Sequence, residues 1–376
     1  MMDTQPLWIS AGELSGDMHG AELIEALSAK DPSLSFIGMG GPHMAEKTNF
    51  TPLFRIEELS VMGATEVLRH LPRILNLLSR IKTDLAKKRP RALIVIDAPS
   101  FHFRVIKAAR ELGIPVYYYI SPKAWAWNEN RALFIKENVR RLISILPFEV
   151  PFYKKFGMDI DYVGNPLVDM VNWEQIEDIS PIPGKIGLLP GSREREITSL
   201  TPEFGKAAAI LRQRLPHLSF HMVRAPGVAE EKLRVLWPEE VPLTVLPPTN
   251  RYAFMRSCEM LIAASGTVTL EAALTRTPTL VTYKVSPVTY FLGRAVIKIP
   301  YVSLSNLILD KALFPELLQK DADGENIAAK TLEWLAPTDG SHPLDAVRHE
   351  LAVLQNQMGE PGAVHRAANV ILKDLP

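Results

Sequence analysis

The sequence predicts an α/β protein made of two doubly wound domains. Short apolar runs recur along the chain with helix-length spacers between them, which is typical of parallel strands buried on both faces. The chain has 376 residues, and one hydrophobic core usually stops growing at about 250–300 residues. Glycine-rich or hydroxyl-rich loops follow several of the runs, at the positions where α/β proteins bind ligands.

Ten apolar runs are assigned to strands, five in each half of the chain. They are residues 7–9, 34–37, 92–96, 116–120, 142–146, 186–189, 218–223, 243–246, 260–264 and 279–283. A proline- and glycine-containing stretch at 180–184 is the best linker between the halves. We therefore expect a first domain at 1–170 and a second at 180–350, with a C-terminal helix in 351–376 that packs back on the first domain. The carboxyl ends of the two sheets are expected to face one cleft.

Composition argues against several classes of protein. Lys plus Arg equals Asp plus Glu, at 42 each, so no overall field favours nucleic acid. Cys258 is the single cysteine, which excludes an internal disulfide and a cysteine-cluster metal site and favours a buried, inert thiol. The nine histidines form no His-x-x-x-His pair, so neither a catalytic metal nor another cofactor is expected. No signal segment and no run of 18 apolar residues is apparent, which is typical of the cytosol.

Residues 10–21, SAGELSGDMHGA, form the first candidate ligand loop. Gly12, Gly16 and Gly20 allow a tight turn and let a ligand approach the amides at a helix N-terminus. Polar side chains crowd the same turn: Glu13, Ser15, Asp17 and His19. The alternative is a glycine-rich connection that binds nothing.

Two loops of the second half indicate a nucleotide diphosphate. Residues 186–189 lead into the turn 190–192, so the amides of Gly191 and Ser192 and the Arg193 guanidinium can converge on one anion. The same order returns at 264–271, ASGTVTLE, where Glu271 can accept the hydroxyls of a ribose while the helix N-terminus faces phosphate. Neither loop has the lysine of a Walker sequence, which disfavours an ATPase.

In the first half, Asp97 directly follows a buried run. A carboxylate at the carboxyl end of a central strand can act as a general base, and helix capping is its structural alternative. His102, five residues on, is expected to fill the wall of this site. Trp125 and Trp127 would form either a sugar-stacking wall or loop packing, and the sequence leaves the two open.

Residues 67–81 combine an apolar stripe at helical spacing with basic side chains. An ordinary amphipathic helix with a solvated basic face explains that pattern. The apolar run before it adds surface that one buried face does not need, which favours docking of an interfacial lipid beside anionic head groups. The candidate lipid or membrane residues are Val61, Met62, Val67, Leu68, Arg69, Leu71 and Arg73.

The ordered motifs of the chain resemble the lipid-A-disaccharide synthase family over roughly residues 7 to 335. They are SAGELSGD, VMG with EVLRHLPRI, IDAPSF, SPKAWAW, LPFEVPFY, GNPLVD, LLPGSREREI, SGTVTLEAAL, and SLSN with PELLQ. The resemblance implies a GT-B fold and inverting transfer from UDP-2,3-diacylglucosamine to 2,3-diacylglucosamine 1-phosphate. The product would be a β-1,6-linked disaccharide of lipid A biosynthesis. It also implies a cytoplasmic protein held peripherally at the anionic inner face of the cytoplasmic membrane.

By the same resemblance, Glu13 and Asp97 are the acidic active-site positions, and Asn306, Glu316 and Gln319 form a polar set near the nucleotide. The remaining candidate UDP-sugar contacts are Ser15, Gly16, Ser192, Arg193, Ser265, Gly266, Thr267, Thr269 and Glu271. His102 and Ser305 depart from the asparagine and proline of the family pattern, and Lys123-Ala124 departs from its tryptophan loop. These changes leave acyl-chain length and sugar variant undetermined.

Two rival functions share the nucleotide half. A UDP-N-acetylglucosamine 2-epimerase of the same fold would not need the basic, apolar segment, and a non-catalytic nucleotide-sugar sensor would not need Asp97. The oligomeric state stays open, with a homodimer as a candidate.

Overall fold

The computed structural model describes residues 5–59, 64–285, 299–336 and 343–376, apart from the side chains of residues 64–71 and Trp127. The chain divides into two compact units. The first comprises Met1–Pro166 and Glu360–Pro376, and the second comprises Leu167–Gly359.

The first unit is built on a parallel sheet of seven strands in the order β3-β2-β1-β4-β5-β6-β7. The strands are β1 Leu7–Ala11, β2 Phe36–Gly40, β3 Phe50–Arg55, β4 Ala92–Ile96, β5 Val116–Tyr119, β6 Arg141–Ser144 and β7 Asp161–Tyr162. Along the chain, the helices between β1 and β7 are α1 Leu14–Lys30, α2 Pro42–Ala45, α3 Ala64–Lys88, α4 Pro99–Glu111, α5 Ala124–Trp127, α6 Asn130–Asn138 and α7 Glu149–Lys154.

The second unit is built on a parallel sheet of six strands in the order β10-β9-β8-β11-β12-β13. The strands are β8 Ile182–Leu189, β9 Ser219–Val223, β10 Leu243–Leu246, β11 Cys258–Ala264, β12 Thr279–Tyr283 and β13 Glu316–Leu318. The remaining helices are α8 Pro166–Val171, α9 Glu194–Arg214, α10 Glu230–Val235, α11 Arg251–Ser257, α12 Thr267–Leu274, α13 Leu304–Leu309, α14 Gly324–Leu335, α15 Pro343–Gln357 and α16 Ala363–Asp374.

Both sheets reverse their winding once, between β1 and β4 in the first unit and between β8 and β11 in the second. This order confirms the predicted doubly wound α/β fold. A crevice opens outside the carboxyl ends of the two strands at such a switch point, and ligands bind there. The loop of Glu13 and the loop of Asp97 follow the two switch-point strands of the first unit, and the loops of Arg193 and Ser265 follow those of the second.

The central strands are buried on both faces. Leu7 and Ile9 belong to one core cluster of the first unit, while Trp8 between them belongs to the other, as the two-residue period of a strand requires. The second unit has its own clusters around Ile186 and Leu261. Cys258 is buried in the second of these, and burial raises the pKa of its thiol to about 12, so the cysteine is an unreactive core residue.

Helix α16 packs in the core of the first unit, where Ala367, Ala368 and Ile371 are fully buried. The Asp374 carboxylate near its end accepts hydrogen bonds from the Arg140 Nε, at 2.5 Å, and the Tyr117 hydroxyl, at 3.0 Å. The expected C-terminal segment, 351–376, also contains the last turns of α15, which belong to the second unit. No helix in the described part of the chain is long and apolar enough to cross a bilayer.

Candidate functional site

Glu13 and Asp97 follow neighbouring strands of the first sheet. Strands β1 and β4 pair in parallel with Ala11 opposite Ile96, so the two acidic residues lie at the same sheet edge. Gly12 makes the close approach of their loops feasible, since a Cβ on it would be 2.1 Å from the Ala98 Cβ. Glu13 and Ser15 are exposed at the start of α1, whereas Gly16 is buried against the sheet.

The main chain at Asp97 and Ala98 is held in an unusual conformation. Both residues have left-handed backbones, with φ of 59° and 45°, which costs about 1–3 kcal/mol for a non-glycine residue and occurs where surrounding contacts impose it. The Asp97 carbonyl oxygen accepts hydrogen bonds from the Tyr118 hydroxyl, at 3.1 Å, and from His102 Nδ1, at 2.6 Å. These two donors fix the peptide that aims the Asp97 side chain.

His102 does more than fill the wall of the site. Because a carbonyl oxygen can only accept, its Nδ1 must carry the proton, and Nε2 must accept from the Ser10 hydroxyl at 3.0 Å. Burial lowers the pKa of His102 to about 4, so the ring is neutral near pH 7. The histidine therefore ties the Asp97 main chain to β1.

The tryptophan loop is anchored by a carboxylate that the sequence reasoning did not single out. Trp125 Nε1 donates to Glu149 Oε1 at 2.9 Å, and the Ser144 hydroxyl donates to the other oxygen. Glu149 is fully buried, and burial raises its pKa to about 7. Trp125 also packs edge-on against Phe148 at 4.9 Å between ring centroids. Its indole is therefore engaged in loop packing, while the side chain of Trp127 lies outside the described residues.

In the second unit, the turn after β8 is closed by its own helix. The amides of Ser192 and Arg193 donate to Glu196 Oε2 at 3.1 and 3.2 Å, forming a capping box. The Arg193 guanidinium is 80% exposed and contacts Glu196 Oε1 at 3.3 Å. A phosphate at this turn would have to displace Glu196 from the two amides and from the exposed Arg193 guanidinium.

The loop after β11 offers the more open helix terminus. Gly266 and Thr267 are exposed, and a Cβ on Gly266 would meet nothing within 4 Å. Ser265 is half-buried, and its hydroxyl donates to the Val302 carbonyl at 3.4 Å. Thr269 is fully buried and donates to the Gly266 carbonyl at 2.8 Å, so it helps to shape the loop.

Glu271 is positioned by α11. Its Oε1 accepts from Arg251 Nη2 at 2.6 Å, and the same Arg251 nitrogen donates to the Tyr252 hydroxyl at 2.7 Å. Burial raises the pKa of Glu271, and the Arg251 charge and the Tyr252 hydroxyl oppose that shift. Arg251 and Tyr252 were not identified from the sequence, since neither belongs to a motif.

Asn306 and Glu316 organise the segment that leads into α13. The Glu316 carboxylate accepts hydrogen bonds from the main-chain amides of Val302 and Ser303, at 2.8 and 2.9 Å, and from the side-chain Nδ2 of Asn306, at 3.0 Å. Asn306 is fully buried and also exchanges two hydrogen bonds with the Phe314 main chain. Two members of the predicted polar set, Asn306 and Glu316, are thus in direct contact, and the contacts of Asn306 shape this loop. Gln319 Oε1 accepts from the Val285 amide at 3.0 Å.

The candidate lipid residues are described only in part. Val61 and Met62 lie outside the described residues, and so do the side chains of Val67, Leu68, Arg69 and Leu71 in α3. Arg73 Nη2 reaches the Glu57 carbonyl at 3.4 Å, and Arg80 pairs with Glu58 at 2.8 Å. No cluster of three or more potential metal ligands occurs among the residues that the structure describes.

Comparison with known sequences relates the chain to one protein family. Residues 7–362 match the family model described as lipid-A-disaccharide synthetase. The lipid-A-disaccharide synthase of Myxococcus xanthus is 37% identical over 100% of this chain and 99% of its own length. That of Nitrosococcus oceani is 38% identical over 91% of each chain.

Solved structures with the same fold are more distant in sequence. The UDP-GlcNAc 2-epimerase of Neisseria meningitidis, bound to UDP-GlcNAc, has a TM-score of 0.64 at 13% identity and covers 98% of this chain and all of its own. A transferase from Siraitia grosvenorii in complex with UDP has a TM-score of 0.59 at 11% identity and covers 98% of this chain and 99% of its own. At such identities the likeness shows the fold alone.

Proposed function

Because the chain belongs to the lipid-A-disaccharide synthase family, and is therefore a glycosyltransferase of lipid A biosynthesis with the GT-B fold, we propose its substrates and the roles of its residues. The donor is UDP-2,3-diacylglucosamine and the acceptor is 2,3-diacylglucosamine 1-phosphate. Inverting transfer gives the β-1,6-linked tetraacyl disaccharide 1-phosphate and UDP. Family membership also argues against the epimerase and the sensor as the function of this chain.

The observation that carries the proposed chemistry is that Glu13 and Asp97 follow the two paired strands at the switch point of the first sheet, in loops that approach closely at Gly12. Asp97 removes the proton from the acceptor hydroxyl as that oxygen attacks the sugar. A base in this role must be held within hydrogen-bond reach of the proton that it takes. The contacts of His102 and Tyr118 with the Asp97 carbonyl supply that restraint. Glu13, exposed in the neighbouring loop, orients the acceptor sugar, while Ser15 contacts the UDP-sugar.

The second unit binds the UDP portion of the donor. Glu271, held by Arg251, accepts the ribose hydroxyls, while Gly266 and Thr267 at the open start of α12 face the diphosphate. Arg193 adds a mobile positive charge that stabilises the leaving UDP. The UDP-GlcNAc-bound epimerase and the UDP-bound transferase of the same fold support a nucleotide-sugar site of this kind.

The acyl chains and the phosphate of the acceptor lead us to place the protein at a membrane surface. We propose that it works in the cytoplasm, peripherally bound to the anionic inner face of the cytoplasmic membrane through the region of residues 61–89. The basic residues of α3 supply the electrostatic part of that attraction.

A turnover assay with both acylated glucosamines tests the proposal. We expect UDP release only when both substrates are present, together with a product whose mass is that of the disaccharide phosphate. Turnover should persist in EDTA, since arginine and helix amides take the place of a metal ion. UDP release from the donor alone, an epimer formed from UDP-N-acetylglucosamine, or rescue by magnesium would contradict it.

A further inference from the structure

Three arginines lie close together at the amino-terminal edge of the second sheet, two of them over the Trp173 ring. The Arg276 Cζ lies 4.1 Å and the Arg256 Cζ 5.3 Å from the centroid of the Trp173 ring. Arg348 of α15 joins them, donating from Nη2 to the Glu259 carbonyl at 2.8 Å. Arg256 precedes β11, whose far end carries the Ser265 loop. Seven residues of strand, at about 3.3 Å each, separate this cluster from the proposed nucleotide site.

Two guanidinium nitrogens of this cluster are buried without an acceptor. The Nε atoms of Arg256 and Arg348 have no hydrogen-bond partner among the described residues. The described contact of the Arg256 guanidinium is the face of Trp173. A buried polar donor left unpaired costs about 1–3 kcal/mol, and more when it is charged. These two nitrogens are donors whose hydrogen-bonding capacity no described protein atom uses.

The charges around the cluster are unbalanced. Burial lowers the pKa of Arg256, and the nearby Arg276 and Arg348 lower it further. The acidic neighbours stabilise the other two arginines. The charge of Glu177 favours the charged form of Arg276, and Asp345, which is 71% exposed, forms an ion pair with Arg348 at 2.7 Å. An anion bound against these guanidiniums would relieve the repulsion between the three cations.

We propose that Arg256, Arg276 and Arg348 form a phosphate-binding site, distinct from the proposed UDP site at the opposite edge of the same sheet. The planar guanidinium fork matches phosphate oxygens in pairs, and three such groups suit a phosphate monoester that carries nearly two negative charges. Trp173 packs against the guanidiniums of Arg256 and Arg276 and keeps these two close together. The phosphate comes either from a small soluble anion or from a lipid head group.

Calorimetry with inorganic phosphate tests the site in the full chain saturated with UDP. We expect saturable binding of one phosphate, weakened at least about tenfold in Arg256→Gln and also in Arg256→Lys, which keeps the charge but loses the fork. Arg214→Gln removes an equal charge from an exposed position on α9 and should bind phosphate like the parent. Arg193→Ala, directed at the UDP site, should lose UDP affinity and keep phosphate affinity, so the two proposals can fail separately.

A second arm identifies the source of the phosphate. Vesicles of phosphatidic acid in phosphatidylcholine, whose head group is a phosphate monoester, are compared with phosphatidylcholine alone, using the same variants. Retention on the anionic vesicles that is lost in Arg256→Gln assigns a lipid head group, and tighter binding of free phosphate assigns a soluble anion. If neither probe binds saturably, or if both bind Arg256→Gln as they bind the parent, the cluster only clamps Trp173 and the proposal is wrong.

Discussion

At the scale of single residues, several buried side chains of the first unit hold the main-chain carbonyl of Asp97 in place. The Asp97 carbonyl is held by Tyr118 and His102, and His102 is held in turn by Ser10. The sequence predicted Asp97 as a base because a carboxylate follows a central strand. It could not show that His102 supports it, because contact across 92 positions, from Ser10 to His102, depends on the folded sheet.

Asp97→Asn should lower turnover by about 10²-fold or more, because a positioned base typically contributes about 10²–10⁴-fold. The shape of the side chain and the hydrogen bonds to the main chain are retained, so UDP affinity should not change. Steady-state turnover and UDP calorimetry on the same preparation separate the two effects. Turnover close to that of the parent would remove Asp97 from the role of base.

His102→Ala should lower turnover by about tenfold, the equivalent of one hydrogen bond of about 1.4 kcal/mol, without weakening UDP binding. His102→Asn carries the residue of the family pattern, whose amide can donate to the Asp97 carbonyl, and should recover most of that loss. The pH profile of the parent should show no ionisation of this ring near neutrality, because its pKa is about 4. Equal losses in the alanine and asparagine variants would rule out the positioning role.

At the scale of helices and strands, apolar runs located every interior strand of both sheets and one edge strand, β10. Each of the ten predicted strands is present, within a few residues at its ends. The strands that were not predicted, β3, β7 and β13, all lie at sheet edges. An edge strand is half exposed, so it needs no continuous apolar run, and β3 even contains Pro52. The side-chain network of Glu149 was equally hidden, since it joins Trp125 and Ser144, which are separate from it in sequence.

Glu149 links α7 to the tryptophan loop and to the end of β6, and its titration should be visible in stability. The folded state binds its proton more tightly than the unfolded chain, because burial raises the pKa from 4.5 to about 7. The stabilisation is therefore full below about pH 4.5 and is lost as the pH rises through about 7.

Urea unfolding between about pH 4.5 and 8, followed by tryptophan fluorescence, measures this pH dependence. Glu149→Gln should flatten the decline in the free energy of unfolding of the first unit over that range. Glu129→Gln, at an exposed position, is the matched control and should retain the parent slope. A slope that persists in Glu149→Gln would assign the titration to another group.

At the scale of the whole molecule, the chain returns to its first unit after completing its second. Ile371 of α16 is fully buried in the core cluster of the first unit that contains Leu7 and Ile9. Ile371→Ala should destabilise that unit by about 2–5 kcal/mol. Hydrogen exchange should then accelerate in β1 and β4 and not in β8 and β11. Val353→Ala, at a residue of α15 that is 41% exposed, should change hydrogen exchange in neither sheet. Equal acceleration in all four strands would show that the units unfold together.

The membrane prediction concerns the surface of α3. Leu77, Leu78, Ile81 and Leu85 in its second half pack in the same core cluster as Trp8. Leu75 nevertheless remains 51% exposed. Arg80 stabilises Glu58 as well as offering charge to a membrane. Each basic residue near an anionic surface contributes about 1 kcal/mol, so three together give adhesion that salt weakens.

Replacing Arg69, Arg73 and Arg80 by serine should lower vesicle co-sedimentation at low salt by at least about tenfold, because loss of Arg80 also leaves the Glu58 charge facing the lipid. Replacing Arg104, Lys107 and Arg110 removes the same charge from an exposed row on α4. That control should sediment like the parent, and both triple variants should bind UDP normally. If both triple variants lose sedimentation equally, general charge drives adhesion. If neither does, α3 is only an amphipathic helix of the first core.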